Sequence, residues 1–460
     1  MITFIRQAFW TSLITNISST ISFFGIAILA RFISPETFGI YMFCLAFREI
    51  ICAVCSPSLS QTYLFSDGTK IDFKNVFKIN LLFSFFILIA SIFGGIIIAK
   101  NYGEFYLNLI ILFGFLSIIN NYSSLFLSIG EKKMNFKSTQ FYRSLTAIIS
   151  LIITCISAFY FGDNLKVLIL KEISYSFFLL FFSIFFYNKF ENINRSINKN
   201  NNFKKLFNYT IRSYFPRLTE ILSYKIFDIL TANLLGKNLL GLFNQTLNVI
   251  KIPYRFLGAI TDNILFVHIK IKKNKKNKVS EFCSIQYLIL IIILPTIVIF
   301  NFFNYEVINL ILGVKWIQTS EIIGLLSMFV VILPFYNSLT TLYQALDNQR
   351  FYTLSNCLIL TTQLIGVYFL PKNIENFIFT FCFSFLFAAI FLVININKNI
   401  DFDRIKILKI LLIIMSVIAL IILYYYLSNF VILFCLIIIW LYLIIKNMNL
   451  ILSIIKQWKN

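Results

Sequence analysis

The sequence predicts an all-α polytopic membrane protein of about 14 transmembrane helices, arranged as two parallel-repeat six-helix bundles followed by two further helices. Three observations predict it. Residues of the AVILMFWYC set fill 59% of the 460 positions and DEKR only 13%, with a mean hydropathy of +0.84. That is more apolar surface than a soluble chain of this length can bury. The apolar residues also form continuous runs of ~20, the length of a bilayer-spanning helix, rather than the ~10-residue alternating strands of a membrane barrel. Finally, polar residues inside the runs recur at helical spacing in both halves of the chain.

Taken in order, the runs predict spans at 8–30, 38–65, 79–99, 107–129, 144–161, 167–187, 213–233, 239–267, 282–303, 317–345, 351–370, 376–396, 407–427 and 430–445. The first follows Arg6 and continues past 20 residues without a small-residue cleavage site, so it reads as a retained helix rather than a signal peptide. Between the spans, Lys and Arg alternate in density. With the N-terminus inside, cytoplasmic segments carry 28 of the 40 basic residues and outside loops six: Arg31, Lys100, Lys166, Lys237, Lys315 and Lys372. That bias places both termini on the cytoplasmic side of an inner-membrane-type protein. It also accounts for the net charge of +21 without nucleic acid.

The longest inside loop, 188–212, is polar and basic and divides the chain near its middle. The expected organisation is therefore an N-terminal bundle 1–187, a cytoplasmic linker 188–212, a C-terminal bundle 213–396, and two extra helices with a tail over 397–460. The linker and the KIKKNKKNK run at 270–278 are also candidates for lipid-headgroup contact. The eight cysteines all fall in or beside apolar spans, which argues against a disulfide framework, and Cys52-x-x-Cys55 reads as packing.

An offset of 202 residues superimposes the starts of the two halves: LARFISPETFGIY at 29–41 on TANLLGKNLLGLF at 231–243, with Ala30 on Ala232, Gly39 on Gly241 and Tyr41 on Phe243. The polar stripe Thr11, Thr15, Ser18, Ser22 of the first span maps in register onto Ser213, Arg217, Glu220, Tyr224 of the seventh. Spans six apart point the same way, so the repeat is parallel and encloses a central cavity.

Charge concentrates in three spans: Arg48 and Glu49 in the second, Arg217, Glu220, Lys225 and Asp228 in the seventh, and Lys251, Arg255 and Asp262 in the eighth. A charge at the bilayer centre costs at least ~2.5–3.5 kcal/mol, so these face one another or a wet cavity. Arg217/Glu220 and Lys225/Asp228 are i, i+3 neighbours that can pair structurally. Arg48, Lys251 and Arg255 have no acid three or four residues away, and read as receptors for an anionic ligand, because guanidinium suits phosphate bidentately and ammonium supplies a point charge. Pro253 between the last two bases predicts a local bend. Lys171 and Glu172 sit near the outer end of span six, where they can snorkel, and receive no role. The uncharged Asn337, Thr341, Gln344, Asn356, Thr361, Thr362 and Gln363 suit either sugar hydroxyls or interhelical hydrogen bonding.

The single histidine, His268, has no metal-ligand pattern around it, and neither a Walker A sequence nor a G-x-S-x-G elbow occurs. No enzyme activity, metal or cofactor is therefore expected, and the positive features concern passage.

The stretch ISFFGIAILARFISPETFGIYMF at 21–43, with the pattern Ala30, Arg31, Gly39, Tyr41, resembles the polysaccharide transporter family, the O-antigen-type flippases of the multidrug/oligosaccharidyl-lipid/polysaccharide exporter superfamily. The resemblance implies a flippase that moves an undecaprenyl-diphosphate-linked oligosaccharide from the cytoplasmic to the periplasmic leaflet by alternating access. It implies a cationic cavity formed here by Arg48, Arg217, Lys225, Lys251 and Arg255. The implied partners are the lipid-linked glycan, membrane lipids, and a polysaccharide polymerase with its chain-length machinery. Asp228, Asp262, Glu220 and Glu49 are the candidates for coupling to a proton or sodium gradient. The alternatives are a membrane-embedded glycan polymerase or glycosyltransferase, and a multidrug or peptidoglycan-precursor exporter of the same superfamily.

Overall fold

The computed structural model describes residues 2–57, 60, 63, 70–132, 135–190, 203–254, 275–345, 348–396, 404–427 and 430–448. These residues are helical almost throughout. In chain order the helices are α1 (Ile2–Phe32), α2 (Pro35–Cys55), α3 (Lys70–Tyr102), α4 (Glu104–Lys132), α5 (Phe136–Phe161), α6 (Leu165–Phe190), α7 (Phe203–Leu234), α8 (Lys237–Ile250), α9 (Lys275–Phe302), α10 (Asn304–Ile311), α11 (Thr319–Ala345), α12 (Gln349–Phe369), α13 (Ile374–Ile394), α14 (Arg404–Leu427) and α15 (Phe430–Lys446). Setting aside the short α10, each matches one expected span.

Among the described residues, nine of these helices (α2–α6, α9, α11, α13 and α14) are long and apolar enough to cross a membrane by length and composition. The others fall short for local reasons. For example, α7 carries Arg217, Glu220, Lys225 and Asp228, α15 is only 17 residues long, and α8 stops after 14.

Local chemistry sets the boundaries. Ser34 caps α2 by accepting from the Thr37 N–H at 3.4 Å, Pro35 opens the first turn, and Glu36 complements the helix dipole. The span expected to continue to residue 65 ends instead at Cys55. Ser56 is extended (φ −139°, ψ 117°), the conformation that the following Pro57 favours. Near Pro253 the helix is interrupted: α8 stops at Ile250 and Lys251 is a turn residue before 252–254 resume helical conformation. Proline has no N–H to continue the ladder there. Gly103, with φ +99°, makes the tight reversal between α3 and α4, a conformation open to glycine.

The contacts divide the chain into two compact units, Met1–Gly241 and Leu242–Asn460. In the first, α1 packs on α5, α5 on α6, α6 on α4 and α4 on α3, while α2 lies against α4 and α7. Its core joins Tyr41, Phe43 and Cys44 of α2 to Leu109, Phe113 and Leu116 of α4 and Val167 and Leu168 of α6. In the second unit α11 is central. Its apolar window is 94% buried, with α9, α13 and α14 against it and α15 against α9. Trp440 of α15 donates its indole N–H to the Ile291 carbonyl of α9 at 2.8 Å, which fixes the last helix in place.

Candidate functional site

The α2–α7 seam of the first unit collects most of the membrane charge. The two helices run antiparallel, as two contacts record in register. The Tyr214 hydroxyl donates to the Val54 carbonyl at 2.6 Å, and Lys225 Nζ lies 3.4 Å from Glu49 Oε2; between them Arg217 is within electrostatic reach of Cys52. Lys225 also meets Asp228 Oδ2 at 3.3 Å, the expected i, i+3 pair. It is thus a cation held between two acids, one from each helix. Asp228 is nearly sealed, with 7% side-chain exposure, whereas Glu49 keeps 38%.

Two sequence readings need correcting. Arg48 has no acid three or four residues away on its own helix, yet it is paired: Nη1 donates to Glu172 Oε2 of α6 at 2.6 Å. Glu172 does not snorkel. It is buried at 12% exposure and takes a second hydrogen bond on Oε1 from the Tyr41 hydroxyl at 2.7 Å. The motif residue Tyr41 therefore orients the partner of Arg48, a connection hidden from the sequence because it joins positions 131 apart.

The second correction concerns Arg217 and Glu220. They do not form the expected ion pair, and Glu220 is exposed on α7. Among the described residues Arg217 has no salt-bridge partner and feels Glu220 only at longer range. It is the uncompensated base of the seam.

At the other end of the seam Lys237, the first residue of α8, sits in an aromatic cage. Its Nζ lies 4.2 Å from the Tyr106 ring centroid, 4.6 Å from that of Tyr102 and 5.7 Å from that of Phe43, and it donates to the Tyr106 hydroxyl. Burial lowers its pKa below the ordinary lysine value. Beside it, Tyr102 donates to Asn233 Oδ1 of α7.

In the second unit Lys251 lies over the Phe329 ring, with Nζ 5.4 Å from its centroid. Three residues on, the Tyr254 hydroxyl accepts from Asn337 Nδ2 at 2.9 Å. The uncharged polar residues of α11 and α12 divide between hydrogen bonds to other helices and hydrogen bonds within their own helix. Tyr336 donates to Asn356 Oδ1 at 2.8 Å, and Gln363 reaches Ser384 of α13 at 3.3 Å. Thr361 and Thr362 bond back to Leu358 of their own helix. Arg255, Asp262, His268, residues 270–274 of the basic run and residues 191–202 of the linker lie outside the described residues, as do the side chains of Thr11, Thr15 and Ser22.

Comparisons with known proteins fit this architecture. A family model described as "Polysaccharide biosynthesis protein" matches residues 28–321. No curated protein matches the sequence. Solved structures share the fold over nearly the whole chain. One is a multidrug resistance MATE family transporter of the MOP superfamily in an outward-facing conformation, at TM-score 0.59 and 13% identity, covering 89% of this chain and 96% of that one. The inward-facing conformation of such a transporter gives 0.58 and 13%, covering 85% and 95%. A MOP superfamily transporter from Pyrococcus furiosus Vc1, with a binding pocket of reversed polarity, gives 0.56 and 13%, covering 90% and 96%.

Proposed function

From the premise that the chain belongs to the polysaccharide biosynthesis protein family, we propose that it is a flippase for an undecaprenyl-diphosphate-linked oligosaccharide of a surface polysaccharide. It carries the glycan from the cytoplasmic to the periplasmic leaflet of the bacterial inner membrane. The observation that carries the reading is Arg217, a membrane-helix guanidinium with no salt-bridge partner among the described residues, next to a seam that also holds Arg48 and Lys225. A diphosphate cannot cross bare hydrocarbon, because removing its charge from water is prohibitively costly. A polar route lined by guanidinium groups removes that barrier, and two parallel repeats that rock about a central site open it alternately to either face. Lys251 and Arg255 complete the cationic set, the polyprenyl tail stays in lipid, and no covalent chemistry is needed.

Replacing Arg217 and Lys251 singly with Ala tests the reading in cells that make a surface glycan. Surface glycan should fall at least about tenfold, a rise of ~1.4 kcal/mol or more in the transport barrier, while lipid-linked repeat units accumulate inside. Repeat units that never form would favour the glycosyltransferase alternative. Units that are exported but stay unpolymerised would favour the polymerase. Loss of drug efflux with normal glycan would favour the multidrug exporter.

A further inference from the structure

The Arg48–Glu172 pair is buried but not sealed: the two side chains keep 17% and 12% exposure. It is also anchored unequally. Glu172 has partners besides Arg48. Tyr41 donates to its other oxygen at 2.7 Å. Lys171, with Nζ 5.7 Å from the Tyr41 ring centroid, places a second cation in its field. Arg48 leans on less: its Cζ lies 5.9 Å from the Phe113 ring centroid, and both it and Arg217, which has no salt-bridge partner among the described residues, are within electrostatic reach of Cys52.

Breaking a buried ion pair is strongly destabilising when it strands one charge. Here the departure of Arg48 leaves Glu172 with a hydroxyl donor and a nearby ammonium. The guanidinium is the member free to leave.

We propose that Glu172 is an internal counter-ion that Arg48 exchanges for the anionic headgroup. The carboxylate occupies the guanidinium while the path is empty and yields it when a diphosphate arrives. This rests on the flippase reading of the same seam. The exchange supplies two properties that an unpaired arginine lacks. Competition from Glu172 keeps the bound headgroup from being held so tightly that release stalls. It also selects for charge, since a monoanion offers Arg48 no more than Glu172 already gives, whereas a diphosphate can engage Arg48 and Arg217 together. Glu172 is thus a positioning residue that acts through Arg48.

The test is calorimetric titration of inorganic pyrophosphate onto the full-length protein in nanodiscs, paired with glycan export in cells. Glu172→Gln should bind pyrophosphate about tenfold more tightly, the factor that corresponds to ~1.4 kcal/mol, yet export more slowly. A purely structural role would not produce that split. Adding Arg48→Ala to Glu172→Gln should erase the gain. Glu172→Asp keeps the charge on a shorter stem and should tighten binding about threefold, a smaller part of the same free energy; it decides the matter if Glu172→Gln does not fold. Unchanged or weaker pyrophosphate affinity in a folded variant, with wild-type binding intact and dependent on Arg217, would overturn the exchange and leave the flippase standing. If neither wild type nor variant binds pyrophosphate and Arg217→Ala exports normally, the flippase reading falls and the exchange falls with it.

Discussion

Gly39 and Gly241 lie against each other in the first unit, each filling the space that the other's side chain would need. A Cβ built on Gly39 runs into the Lys237 carbonyl and stands 3.1 Å from the Gly241 nitrogen; one built on Gly241 runs into the Pro35 carbonyl and stands 3.1 Å from the Gly39 nitrogen. Pro35 and Lys237 are themselves separated by the 202-residue offset, so the contact is reciprocal about a local two-fold axis. A side chain at either glycine would push backbone rather than a flexible side chain. Gly39→Ala and Gly241→Ala should each cost about 2 kcal/mol or more, as overpacking of a tight contact does. Gly94 is the control. Its nearest neighbour is the end of the Ile51 side chain at 3.3 Å, and Ala there gains helix propensity of up to ~1 kcal/mol. Thermal unfolding in detergent should separate the three; an equal loss at Gly94 would remove the argument.

Lys225 between Glu49 and Asp228 gives an asymmetric expectation. Lys225→Met takes the cation away from Asp228, which is 7% exposed, and should cost ~3–5 kcal/mol. Glu49→Gln leaves Lys225 paired with Asp228 and removes an acid that is 38% exposed, so it should cost no more than ~1 kcal/mol. The double variant Lys225→Met/Asp228→Asn should recover much of the loss. Folded yield and melting temperature check the order, and a Glu49→Gln loss as large as that of Lys225→Met would contradict it.

The way these contacts are built explains what sequence reading could and could not find. Helices of ~20 apolar residues declare themselves, because the bilayer demands continuous runs. Lys225–Asp228 was legible because helical geometry puts i and i+3 side by side. The same rule misled at Arg217–Glu220: proximity permits a pair without enforcing one, and Glu220 is exposed. The pairing of Arg48 with Glu172 spans 124 positions and depends on how α2 packs beside α6, which no local pattern encodes. The Gly39–Gly241 alignment was visible as a match in sequence, whereas their face-to-face contact required the fold.

Tyr336 tests whether the uncharged polar residues of the second unit are structural. Its hydroxyl donates to Asn356 Oδ1 at 2.8 Å and lies 3.1 Å from Ser355 Oγ, all of it buried. Tyr336→Phe leaves the amide oxygen without that donor and should cost ~1–3 kcal/mol. If these groups hold helices together, melting temperature falls while the export rate per folded molecule stays the same. If they hold sugar, export falls and stability does not.

Of the candidate acids among the described residues, Glu49 is the one best placed to couple transport to an ion gradient on the flippase reading, because Asp228 is nearly sealed. Glu220 has no salt-bridge partner among the described residues, so neutralising it would leave the seam's ion pairs as they are. Glu49 combines exposure with a shared cation. When it is neutralised by a proton or screened by sodium, Lys225 stays paired with Asp228 at 3.3 Å, so the seam loses one contact without stranding a charge. That is the requirement for an ion-dependent switch with a small energy gap between states. Glu49→Gln should therefore fold and export at a rate that no longer responds when an ionophore collapses the proton or sodium gradient, whereas Asp228→Asn should lower the amount of folded protein instead. Export by Glu49→Gln that still follows the gradient would move the coupling role elsewhere.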